Sequence, residues 1–145
     1  MKSIRTTITT AIIALGANAA FADITIGISL PLTGPTSALG IPLKNAIAMW
    51  PTSIGGEKLN VTILDDATDP AQATKNARRF VTDDKVDILM GSGATPTATA
   101  VAAVAAESGT MHITFAPIDV SIGKAPWSYN MPQSTLVMSH AIVEH

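Results

Sequence analysis

The chain has 145 residues, 47% of them hydrophobic, which is enough to bury one real core. With 9 Lys and Arg against 11 Asp and Glu the net charge is −2, and no basic footprint for nucleic acid or an anionic membrane stands out. No cysteine occurs, which excludes disulfides, cysteine zinc sites, a thiol nucleophile and a lipidated cysteine as anchor.

Residues 1–22 read as a secretory signal peptide. Lys2 and Arg5 give the basic start, Ala11, Ile12, Ile13, Ala14 and Leu15 the apolar run, and Ala20-Phe21-Ala22 an A-x-A cleavage pattern. The run is too short, and too interrupted by Asn18, for a spanning helix. Cleavage would start the mature chain at Asp23 and leave 7 basic against 11 acidic residues, a net charge of −4. No second apolar span follows, so the expectation is a soluble protein beyond the inner membrane without stable membrane anchoring.

Residues 23–30 alternate, with isoleucines on one parity, and predict the first strand; the Pro and Gly content of 30–37 predicts a loop. Leu39, Leu43, Ile47 and Trp50 lie at helical spacing for one buried stripe, with Pro42 allowed only in the first turn and Pro51 as the stop. Gly55-Gly56 marks a turn, and residues 60–64 a second strand. Asp69 caps the second helix, Pro70 takes its first position and Gln72 completes a capping box, while Ala73, Ala77, Phe80 and Val81 form its apolar face.

The chain is organised around residues 86–97. Val86 to Met90 predicts a strand covered on both faces, Gly91 and Gly93 a sharp turn with uncovered amides, Thr95 an N-cap and Pro96 the first helical residue. Free amides beside a hydroxyl at a helix N-terminus suit a carboxylate or phosphate, although an ordinary strand-to-helix turn has the same outline. An alanine-rich third helix runs over 96–108 with Gly109 as C-cap; strands over 111–115 and 127–131 follow, and a last helix begins from Pro132. The order βαβαβαβ with short connections predicts an α/β fold, a three-layer αβα doubly wound parallel sheet. Ligands of such sheets bind beyond the carboxyl ends of the strands, where loops 30–37, 91–97 and 116–122 meet.

Enzyme templates fit poorly. Residues 91–97 match neither the phosphate-cradling loop that ends in Gly-Lys-Ser/Thr nor the dinucleotide glycine pattern, and Ser92 lacks the nucleophile-elbow context, so no cofactor is expected. Asp65, Asp66 and Asp69 read as a helix cap plus solvated strand-end carboxylates rather than a metal site; His112, His140 and His145 have no metal spacing and read as core or surface residues. No nucleophile–base pair is evident.

Residues 34–45 (GPTSALGIPLKN), 64–70 (LDDATDP), 84–87 (DKVD) and 131–133 (MPQ) together resemble the N-terminal lobe of periplasmic leucine/isoleucine/valine-binding-type proteins, the solute receptors of branched-chain amino-acid ABC transporters. The resemblance extends over residues 23–145, in order and with near-family spacing. It implies two α/β lobes with the ligand between them, of which residues 23–145 would be an incomplete N-terminal lobe, the second lobe being absent and the last helix cut off partway. It further implies an amino acid or related carboxylate as ligand and an inner-membrane ABC permease as partner. Thr95, with nearby amides such as that of Ala94, would receive the ligand's α-carboxylate; Ala116 would offer backbone groups; Leu39 would sit at the pocket rim. Where the family usually has Ser or Thr, this chain has Ile118 after Pro117, which removes a hydroxyl and an amide donor. The resemblance therefore implies a periplasmic, non-enzymatic capture protein, with impaired binding by this chain alone. Two other readings stand beside it: a small exported α/β hydrolase for an anionic substrate, with Asp66 and Asp119 as the available acids, and an inactive remnant.

Overall fold

Isoleucines alternating with small residues place the first strand, β1 (Ile24–Leu30), at the centre of the sheet. The computed structural model describes residues 23–121 and 123–144, so the expected signal peptide at 1–22 lies outside them. On one side β1 pairs in parallel with β3 (Glu57–Asp65), and on the other with β4 (Ile88–Gly91). β5 (Met111–Thr114) and β6 (Ser128–Asn130) continue the parallel ladder, while β2 (Ser53–Ile54) runs antiparallel to the start of β3. The order is β2-β3-β1-β4-β5-β6. Helix α1 (Ser37–Ile47) covers one face, where Ile47 joins Ile26, Ile28, Leu30, Leu59 and Met90. Helices α2 (Pro70–Thr82) and α3 (Thr95–Ser108) cover the other, where Phe80, Val101 and Val104 join Leu89. The three-layer α/β architecture expected from the sequence is the one that forms. Among the described residues no helix is long and apolar enough to cross a membrane.

Small residues set how closely the layers approach. Phe80 of α2 is fully buried over Gly27, where an added Cβ would lie 2.5 Å from the ring. The alanines of α3 let it lie close against both sheet and α2, with Ala98, Val101, Ala102 and Ala105 buried. Gly109, in the left-handed conformation, ends the helix as expected.

Several local expectations need correction. Helix α1 starts earlier, so Pro42 lies inside it, beyond the first turn. Its stripe is buried only towards the C-terminal end: Ile47 is buried, Leu43 and Trp50 are half-buried, and Leu39 is 53% exposed. The Gly55-Gly56 turn closes a hairpin whose first strand, β2, is too short to show a period. Asp69 caps α2 by accepting from the Ala71 amide, but Gln72 donates to Asn76 Oδ1 at 2.9 Å instead of completing a capping box. β4 starts at Ile88 and takes in Gly91, because Lys85 turns with positive φ and the Val86 amide returns to the Phe80 carbonyl. The last helix, α4 (Thr135–Val143), is capped by Ser134 and buries none of its residues.

The largest correction concerns the end of β3. Asp66 is not a solvated carboxylate, and Asp65 is half-buried with its carboxylate held by hydrogen bonds. Asp65 accepts from the amides of Leu32, Thr33 and Ala67 and, at 2.6 Å, from the Thr33 hydroxyl. Asp66 is fully buried and accepts from Ser29 Oγ at 2.9 Å and the Thr68 amide at 3.0 Å. Those bonds hold Ala67 and Thr68 in the left-handed region, where non-glycine residues are strained. Thr68 Oγ1 then meets the Thr36 amide and hydroxyl, and Gly34 packs so tightly on the Ala67 carbonyl that a Cβ would lie 2.4 Å from it. The loop after β1 is thus bound to the loop after β3. Burial pushes the Asp65 carboxyl upward, but the Thr33 hydroxyl and the amides of Ala67, Thr33 and Leu32 outweigh it and hold its pKa below 3.8.

Two outcomes follow from this packing. Phe80→Ala should cost about 3–5 kcal/mol and Gly27→Ala about 1–3 kcal/mol, both read from urea unfolding midpoints. Because the folded pKa of Asp65 lies below the unfolded one, its contribution is complete above about pH 4 and is lost as pH falls through the folded value. Asp65→Asn should therefore flatten the acid limb of a stability–pH profile; an unchanged limb would show that the grip carries no linkage.

Candidate functional site

The strand order reverses at β1, which has β3 on one side and β4 on the other. The crevice of a doubly wound sheet opens at that point, beyond the carboxyl ends of β1 and β4. Two chain segments border it: residues 31–36, gripped by the aspartates, and residues 92–94, which lead into α3. Gly91 has φ +98°, and an added Cβ would lie 1.9 Å from the Ser29 carbonyl oxygen, so only glycine lets β4 turn off the sheet this close to β1.

The start of α3 differs from expectation by one residue. Ala94, not Thr95, is the N-cap: its backbone is extended, its carbonyl accepts from the Ala98 amide at 2.9 Å, and its methyl side chain caps nothing. Thr95 is the first helical residue and Pro96 the second. Thr95 Oγ1, which cannot reach a capping position from there, donates to the Pro117 carbonyl at 3.3 Å and bridges to the next loop. Among the described residues no side chain accepts from the first-turn amides of Thr95 and Thr97, so the positive end of a 14-residue helix stays open. At the foot of this loop Ser92 is fully buried and its hydroxyl has no hydrogen-bond partner among the described residues.

Two recesses share the loop as a wall. One of about 470 Å³ is lined by Ala38, Leu39, Pro42, Leu43, Gly93 and Phe115 and is apolar. The other, about 600 Å³, includes Thr95, Pro117, Ile118, Asp119, Asn130 and Leu136 in its lining. The sequence-predicted site residues therefore divide between them: Leu39 in the first, Thr95 and Ile118 in the second, Ala94 at the helix start between. Ala116 lines neither. It is buried, its amide donates to Thr114 Oγ1 at 3.1 Å, and its carbonyl accepts from the same hydroxyl at 2.9 Å. Ile118 is likewise engaged: its amide donates to Asn130 Oδ1 and its carbonyl accepts from Asn130 Nδ2 at 2.8 Å.

Charge near the site is balanced. Asp119 on the recess wall pairs with Lys124; the hydrogen bonds from Lys124 and Ser121, with the lysine charge, hold its carboxyl far below the usual range. An anion entering there meets an ion pair rather than a lone carboxylate. Asp66, the other acid considered for catalysis, is enclosed by Ser29 and Thr68, away from both recesses. No cluster of three metal-ligating side chains occurs among the described residues.

Sequence reasoning missed Asn130, Thr114 and the role of His112. His112 is fully buried, with Nδ1 2.9 Å from Ser128 Oγ and Nε2 bonded to the Gly91 carbonyl. Burial lowers its pKa from the ordinary 6.5, partly opposed by the bond to Gly91. A polar residue inside an otherwise apolar strand was the available signal for His112; an amide at a strand end was the signal for Asn130.

Comparison with known proteins places the chain in a family. A family model described as "Periplasmic binding protein" matches residues 23–141. A Leu/Ile/Val-binding protein homolog 3 of Brucella melitensis is 36% identical over 104 residues, covering 68% of this chain and 28% of that protein. An extracellular ligand-binding receptor from Rhodopseudomonas palustris superposes with a TM-score of 0.82 at 46% identity, covering 86% of this chain and 35% of that one. An ABC-transporter solute binding protein of the same species, solved with 3,4-dihydroxy benzoic acid, gives a TM-score of 0.71 at 26% identity, covering 77% and 32%. The chain thus spans about a third of the length of the relatives it matches. It belongs to the periplasmic binding protein family.

Proposed function

We infer that this chain supplies one wall of a cleft that captures a small carboxylate without covalent chemistry, as the periplasmic solute-binding component of an ABC transporter. A branched-chain or related amino acid is the leading ligand, an inner-membrane permease is the recipient, and a second lobe supplies the opposite wall. The observation that carries this reading is the open N-terminus of α3 at the strand-order reversal, with the Thr95 hydroxyl beside it. An α-carboxylate placed there would accept from the Thr95 and Thr97 amides and draw the Thr95 hydroxyl away from Pro117, a long bond that is easily exchanged.

The relatives support the carboxylate more firmly than the rest of the ligand. One is named for leucine, isoleucine and valine and another was solved with a dihydroxybenzoic acid; the chemistry common to these is a carboxylate on a compact, largely apolar body. The apolar recess of Leu39, Leu43 and Phe115 suits such a body. Ile118, its backbone tied to Asn130, offers no hydroxyl, which supports a second reading in which the ligand lacks an ammonium group.

Because one wall leaves a ligand largely solvated, binding by this chain alone should be weak, and amide chemical-shift titration in the millimolar range is the suitable measurement. Leucine should shift the amides of Gly93, Ala94, Thr95 and Thr97, and leucinamide, without the carboxylate, should not. Thr95→Val should weaken the response about tenfold, the worth of one hydrogen bond to a charged group in a partly open site. Comparing leucine with 3,4-dihydroxybenzoate separates the two readings. Equal shifts from leucinamide, or none from any carboxylate, would overturn the proposal.

A further inference from the structure

We propose that His112 is a positioning residue for the carboxylate loop: its imidazole holds the Gly91 carbonyl where the chain leaves the sheet, and so fixes the course of residues 92–95. The inference rests on the carboxylate reading of that loop, but its test does not.

The ladder shows why such a hold is needed. Gly91 pairs with Ser29 on the β1 side, but on the β5 side the pairing stops one residue earlier, at Met90 with Ile113. Gly91 is the last residue of β4 and has φ +98°, and its carbonyl is taken by His112 Nε2. His112 lies opposite Ser128 in the β5–β6 register and meets Ser128 Oγ at 2.9 Å through Nδ1. A carbonyl can only accept, so Nε2 carries a proton; in the neutral imidazole, which burial favours, Nδ1 then accepts from the Ser128 hydroxyl. A hydrogen-bonded chain of fixed polarity therefore runs from β6 through β5 to the root of the loop.

A merely space-filling residue would not need this arrangement. The imidazole is fully buried, at the position paired with the buried Leu89 of β4, where polar atoms are costly unless paired, and both of its nitrogens are paired. An aliphatic replacement would leave the Gly91 carbonyl without this donor. The next residue gives no alternative anchor, since the buried Ser92 hydroxyl has no partner among the described residues. The orientation of the Gly91 carbonyl sets the plane of the peptide that enters the loop, and with it the direction of the amides at the start of α3.

Three variants of the whole chain test this by amide nitrogen relaxation, with the amides of β1 as the internal reference. His112→Leu should lower the order parameters of residues 92–95 from about 0.85 to below about 0.6 while β1 stays rigid. His112→Gln, whose side-chain N–H can reach the Gly91 carbonyl, should restore most of the rigidity. Ser128→Ala should loosen the same residues by a smaller amount, and it decides the matter if His112→Leu does not fold. In the parent chain, long-range nitrogen–proton spectra at neutral pH should show the proton on Nε2. Unchanged order parameters of the loop in a folded His112→Leu or in Ser128→Ala, or a proton on Nδ1, would overturn the proposal. Failure of the parent to respond to leucine would instead remove the carboxylate reading and leave these readouts to judge His112.

Discussion

The grip of the β3 aspartates on the loop after β1 is the constraint on which the rest of the crevice depends. Two adjacent carboxyl groups at one strand end accept from four amides and two hydroxyls drawn from β1 and both loops. Such bonds to a charged or buried acceptor are among the stronger local interactions available to a small domain. They hold Ala67 and Thr68 at positive φ, against intrinsic preference, and bring Thr68 to Thr36 at the start of α1. The first helix is thereby aimed by polar contacts at its N-terminal end and by Ile47 packing at the other, which leaves Leu39 exposed over the apolar recess.

On the other side of the crevice the constraint is one of space. Gly27 beneath Phe80 and Gly91 against the Ser29 carbonyl let α2 and β4 approach β1 more closely than any side chain would allow. That approach brings the open end of α3 and the gripped loop to one edge of the sheet. Ser92, whose buried hydroxyl has no hydrogen-bond partner among the described residues, follows directly on Gly91 there, and the Gly91 carbonyl is bonded to the buried imidazole of His112.

Much of this was legible in the sequence, and the pattern of what was not is physical. The order of the helices and of the five parallel strands, and the Gly109 cap, follow from periodicity and turn chemistry, which are local. The family resemblance rested on short runs such as LDDATDP, and the match over residues 23–141 agrees with it. Failures arose where a side chain acts on a backbone group far away in the chain. Asp66 reads as a solvated carboxylate until β1 is placed beside it, and His112 reads as a bland core residue until Gly91 turns towards it. Asn130 shows no role until the loop carrying Ile118 folds back onto it. The one-residue shift of the α3 cap has a different origin: threonine is a good N-cap, but Ala94 already supplies the carbonyl that begins the helix, and the hydroxyl of Thr95 is used between loops.

The central claim is that the open start of α3 is a carboxylate seat. A crystal structure of this chain soaked with isoleucine tests it most directly. The account predicts one carboxylate oxygen within hydrogen-bonding distance of Thr95 Oγ1 and the Thr95 or Thr97 amide, with the side chain towards Leu39 and Phe115. Isoleucine bound elsewhere, or with its carboxylate turned to solvent while Thr95 keeps its bond to Pro117, would contradict it.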